Sequence, residues 1–178
     1  MRLRAQFILS VKNYRASIPV MGNSFANIKV HLIFHTKSRG CQMREEDLSR
    51  IFHYIGGVIR SMSGCAYMVG GRPDHIHVLT TLPSQISLAD FVRDVKSNTT
   101  KWIKTIDLYY KDFAWQEGYG AFSVSESNQE AVVHYIEHQK EHHHTHTTQV
   151  EFCAFLAKHG FKIEDINWWC KSASKEKL

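Results

Sequence analysis

The sequence predicts an α+β fold, a ferredoxin-like (RRM-like) split βαβ sandwich in which an antiparallel sheet carries helices on one face and further helices follow at the C-terminal side. Three observations predict it. Residues 28–35 alternate apolar and polar at period two, the pattern of a half-buried strand. Two later stretches put their apolar residues on single helical stripes, as amphipathic helices do. The elements run strand, helix, strand, strand, helix, strand, the order of a split βαβ unit.

In ANIKVHLIFHTKSR, Ile28, Val30, Leu32 and Phe34 form the inward row, with Lys29, His31, Ile33 and His35 between them. REEDLSRIFHYIGGVIRSM then gathers Leu48, Ile51, Phe52, Ile55, Val58 and Ile59 on one stripe, with Glu45, Glu46 and Asp47 at the positive end of the helix dipole and an end near Gly64,. CAYMVGGR and DHIHVLTTL read as a hairpin of two short strands, with Gly70, Gly71 and Pro73 as its turn residues,. SLADFVRDVKSNTTKWIKTI follows with Ser87 as N-cap and a buried face of Leu88, Phe91, Val92, Val95, Thr99, Trp102 and Ile103,. A glycine-punctuated loop leads to a fourth strand around Ala121 to Val124. Two helices close the pattern, the first with Ser127 and Glu130 in capping-box register, the second with Thr148 and Glu151 and a stop at Gly160,.

The chain has 178 residues, room for one sizeable core and an added element or two,. The expected organisation is a basic N-terminal extension over 1–20, the functional domain over 21–162 and a tail over 163–178. A net charge of +5 and a pI near 9.0 favour an anionic partner such as nucleic acid,. Cys41, Cys65, Cys153 and Cys170 form no C-x-x-C pair, so neither a zinc ribbon nor a disulfide framework is suggested, and a reducing cytoplasmic setting is expected,. No apolar run approaches the roughly 20 residues of a membrane span.

The chemistry centres on DHIHVL. Residues i and i+2 of a strand point the same way, roughly 6.5 Å apart. His75 and His77 therefore share one face while Ile76 and Val78 face the helices. The pair can converge on an ion, or can be two half-solvated histidines on a wet strand face. In YIEHQ, Tyr135 and Gln139 are four apart and share a helical face,. Two imidazoles and an amide oxygen suit Mg²⁺ or Mn²⁺ better than a structural zinc. Such an ion would polarise a phosphate oxygen while the tyrosine attacks phosphorus.

In chain order, NIKVHLIFHTKSR, DHIHVL, FAWQEGYGAFSVSES and YIEHQKEHH resemble the single-tyrosine HUH transposases of insertion sequences and their REP-associated relatives, over about Ser24 to Phe161. That resemblance implies that His75, His77 and Gln139 bind a divalent ion and that Tyr135 is the nucleophile. It implies cleavage of hairpin-bearing single-stranded DNA through a 5′-phosphotyrosine, and a homodimer in which the tyrosine helix can serve the partner's histidine pair. A nucleoid-associated cytoplasmic enzyme is the corresponding expectation. Two departures stand out: His138 where relatives often carry a smaller polar residue, and an arginine, Arg72, before Pro73.

Arg72 is a candidate phosphate contact, as are Arg93, Lys96, Lys101 and Lys104 on the second helix, with Trp115 and Tyr119 as candidate base-stacking aromatics,. Each has a plainer reading as a solvated or core residue. The tract HHHTH, His142 to His146, reads as a solvated helix end,. A histidine-triad hydrolase is disfavoured, because the position two past His77 is Leu79. Replication initiators and relaxases usually belong to longer chains. The rival reading is a domesticated hairpin-binding protein without transposition activity.

Overall fold

Alternation along the first strand sets the layers. In β1 (Lys29–His35), Val30, Leu32 and Phe34 turn into the main core with Ile76 and Val78 of β3 (His75–Thr81). Because successive side chains point to opposite faces, Lys29, His31, Ile33 and His35 take the other side with His75, His77 and Leu79. The computed structural model describes residues 25–37, 41–139, 153, 155–157 and 159–161.

The four strands, completed by β2 (Ala66–Arg72) and β4 (Gly120–Val124), lie in the order β2-β3-β1-β4. All three pairings are antiparallel. This is the split βαβ arrangement that the sequence predicts. α1 (Leu48–Ser61) and α2 (Leu88–Ile103) cover the core face. Their buried residues, Leu48, Ile51, Ile55 and Ile59 on α1 and Phe91, Val92, Val95 and Ile103 on α2, repeat at helical spacing and complete the core. Ser87 caps α2 as expected, its Oγ accepting from the Asp90 amide at 3.1 Å,.

Three local expectations change. Ile28 precedes β1 and is exposed. Gly70 and Gly71 are strand residues, and the reversal falls on Pro73 and Asp74. Gly71 has φ of 148°, and a Cβ there would run into the His75 carbonyl oxygen, so the tight return requires glycine,. Ser127 lies in a 3₁₀ turn, Glu126–Asn128, and α3 (Gln129–Glu137) starts after it. Thr148 and Glu151 lie outside the described residues.

A third helix covers the other face. α3 lays Ile136 against Met68 and Leu79, with Val132, Val133 and Tyr135 beside them. Its entry turn is held by Glu126, which pairs with the buried Lys29 ammonium and accepts from Asn27 Nδ2 at 3.2 Å. That pairing holds the exposed Glu126 carboxyl below its ordinary pKa. Near its end, α3 meets β2 at Gly70, where a Cβ would lie 2.8 Å from Ile136 Cγ2 and 2.9 Å from its carbonyl oxygen.

The chain divides into two compact units, 1–137 and 138–178, so the boundary falls inside the region read from sequence as one domain. In the second unit, Gly160 at φ of 82° closes a helical turn, the Phe161 amide donating to Leu156 O at 3.1 Å,. Among the described residues no helix is long and apolar enough to cross a membrane.

The approach at Gly70 yields a test of how α3 is seated. Gly70→Ala should cost about 1–3 kcal/mol through overpacking, read by urea denaturation, and should speed amide exchange in α3 more than in β1 and β3. Unchanged stability and exchange would contradict the seating.

Candidate active site

The register of β1 on β3 builds the site. His35 stands directly across from His75, and Ile33 across from His77. His31 lies one step diagonally from His77, within side-chain reach on the same face. The result is a row of four imidazoles. Ring centroids are 5.2 Å apart for His31 and His77, 5.1 Å for His77 and His75, and 5.4 Å for His75 and His35. From α3, the Tyr135 ring stands edge-on, 5.6 Å from His77 and 6.2 Å from His31.

This face is not a wet one. His31, His75 and His77 are 2%, 2% and 4% exposed, so the half-solvated pair considered from sequence is corrected to a buried one. A strand face covered by a helix must satisfy its polar groups internally. His75 Nδ1 lies 2.8 Å from Asp74 Oδ1, and His77 Nδ1 lies 3.0 Å from His31 Nε2. An ionised carboxylate only accepts, so His75 carries its proton on Nδ1. Burial disfavours the charged form of His35 and His75 repels it further; Asp74 offsets only part of this, and the His35 pKa falls to about 4,.

Both motif histidines use Nδ1 within the protein. A neutral imidazole whose other nitrogen donates to a carboxylate is the usual preparation of a metal ligand. Among the described residues no group of three or more His, Cys, Asp or Glu side chains is arranged to hold a metal ion. Gln139, the expected third ligand, and His138 lie past the end of α3 in the second unit.

The other candidates divide. Arg72 stands across β2–β3 from His75, on the histidine face, with its guanidinium 4.0 Å from Glu45. Arg93, Lys96, Lys101 and Lys104 belong to α2 and its C-cap, on the opposite face, and do not join the site. Arg93 is paired with Asp90 and Asp94. Lys96 donates to the carbonyls of Gln116 at 2.6 Å and Gly118 at 2.8 Å, and burial lowers its pKa. Trp115 packs edge-on against Phe34 and Phe113 in the core, so for it the base-stacking expectation gives way to a packing role, while Tyr119 is half-buried against the same core. The tract 142–146 lies outside the described residues.

Sequence reasoning passed over His31 and His35 as functional residues. Their alternation was visible, but only the strand register shows which imidazoles they meet.

The family described as "Transposase IS200 like" matches residues 24–139, a span that holds all four strands, α1 to α3 and every residue of the imidazole row. The chain belongs to the IS200-like transposase family. Two solved structures share its fold. A candidate transposase from Deinococcus radiodurans R1 is 20% identical, covers 67% of this chain and 95% of its own, and superposes with a TM-score of 0.53. A REP-associated tyrosine transposase bound to a REP hairpin is 17% identical, covers 69% and 73%, and gives a TM-score of 0.51. No curated protein is significantly similar in sequence.

The half-buried, neutral His35 gives this IS200-like chain a pH signature. A histidine with a folded pKa below its unfolded value takes up its proton on unfolding, so its contribution is complete above about 6.5 and is lost as pH falls toward about 4,. Denaturation across that window should show falling stability, with a shallower fall in His35→Phe. Equal slopes for the two proteins would refute the assignment.

Proposed function

We propose that the chain is a metal-dependent endonuclease and strand transferase for single-stranded, hairpin-bearing DNA, with Tyr135 as the nucleophile. One observation carries the reading. The Tyr135 ring stands 5.6 Å from His77, beside the pair His75 and His77, on a single buried sheet face. A phenol beside a pair of imidazoles can serve as the nucleophile of a covalent phosphoryl transfer.

His75 and His77 would hold Mg²⁺ or Mn²⁺ through Nε2, and the family resemblance, rather than the geometry, adds Gln139 as a further donor. When bound, the ion supplies Lewis-acid polarisation of a phosphate oxygen. Tyr135 Oη attacks phosphorus, the bond to the 3′ oxygen breaks, and that oxygen leaves as a 3′-hydroxyl after taking a proton. The 5′ phosphate stays on Tyr135. In the second step a 3′-hydroxyl attacks the phosphotyrosine and the phenol is restored. One phosphodiester is exchanged for another through an ester of similar energy, so no nucleotide hydrolysis is needed.

Arg72, across from His75, is placed to contact a backbone phosphate at this edge of the face. The hairpin held by the REP-associated transposase supports hairpin DNA as the substrate class. Within the single chain, Tyr135 and the histidine pair lie in one compact unit, which supports an active site assembled by α3 on its own sheet. A homodimer that exchanges α3 between chains would need that helix to leave Gly70.

The test uses labelled single strands bearing hairpins, with Mn²⁺. A covalent protein–DNA adduct should form on denaturing gels and should vanish in Tyr135→Phe and in the double variant His75→Ala with His77→Ala. Cleavage that survives Tyr135→Phe would exclude the nucleophile. Tight hairpin binding with no adduct in the wild type would favour a binding protein without transposition activity.

A further inference from the structure

We propose that His31 is a positioning residue, which fixes the tautomer of His77 and with it the nitrogen that His77 offers to an ion. The inference rests on the metal-site reading above and adds a residue to it. His31 Nε2 lies 3.0 Å from His77 Nδ1, and both rings are buried. At that distance one nitrogen donates and the other accepts. If His31 donated, His77 would accept at Nδ1 and carry its proton on Nε2, which would leave it no lone pair for an ion. Ligation by His77 therefore requires that His31 accept.

The two motif histidines are then prepared alike by different means. Asp74 takes the Nδ1 proton of His75 at 2.8 Å, and His31 Nε2 takes that of His77. Only the first support is adjacent in the chain. The second comes from β1 across the sheet, which is why its chemistry depends on the β1–β3 register. His31 also stands edge-on to Tyr135, its ring centroid 6.2 Å away. It thus contacts both the ligand and the nucleophile while it acts only through them.

The substitutions separate acceptor chemistry from packing. His31→Phe keeps a ring of similar volume and removes the acceptor. His31→Gln can present an amide oxygen near the position of Nε2. Both are read by Mn²⁺ titration followed by electron paramagnetic resonance, with circular dichroism as the check on folding. His31→Phe should weaken Mn²⁺ binding about 10–100-fold, as loss of a ligand's outer partner does, while His31→Gln restores most of it. Cleavage by His31→Phe should need correspondingly more Mn²⁺ to reach half its maximum. Unchanged Mn²⁺ affinity in folded His31→Phe would overturn the positioning role, and so would equal weakening in folded Phe and Gln variants. Wild type that binds Mn²⁺ no better than His75→Ala with His77→Ala would instead remove the metal site itself, and the role of His31 with it.

Discussion

The antiparallel register of β1 on β3 is the constraint on which the rest depends. It sets Val30, Leu32, Phe34, Ile76 and Val78 together on the core face. By the same alternation it sets His31, His35, His75 and His77 together on the other. A slip of one residue would send imidazoles into the core and aliphatic side chains toward Tyr135, so burial and the site are specified by one choice. The apolar row is what enforces it, since burying it stabilises the domain while the histidine face by itself favours no particular pairing.

The second requirement is a cover for that face. Four imidazoles in water would be ordinary histidines. α3 is admitted by the missing side chain of Gly70 and held at its entry by Lys29 and Glu126. Once covered, the rings must find partners within the protein, and they do so in an ordered way, through Asp74 and through one another. The same burial that brings Tyr135 close also keeps His35 neutral. Packing and the geometry of the histidine face are therefore coupled at α3, and the turn that starts the helix serves both.

Much of this was legible in the residues. Period-two alternation located the strands, helical stripes located α1 and α2, and Ser87 marked a real cap. His75 and His77 could be singled out by their two-residue spacing and Tyr135 by its four-residue spacing from Gln139, and the structure brings the histidine pair and the tyrosine together. What stayed hidden was long-range. The pairing of His31 with His77 spans 46 positions and exists only through strand register. Trp115 looked like a free aromatic beside a basic helix, yet the bridge between Thr36 and Trp115 draws its segment alongside the end of β1 and turns the indole toward Phe34. Gly70 read as a turn residue because composition cannot distinguish a glycine that bends the chain from one that makes room for a helix.

The hydrogen bonds to Asp74 and His31 hold His75 and His77 in one tautomer if Nδ1 is protonated and Nε2 is not in both rings. Long-range proton–nitrogen correlation spectra of the histidine rings in the metal-free protein near neutral pH measure this directly. Both residues should show Nδ1–H and an unprotonated Nε2. A proton on Nε2 of either ring would contradict it.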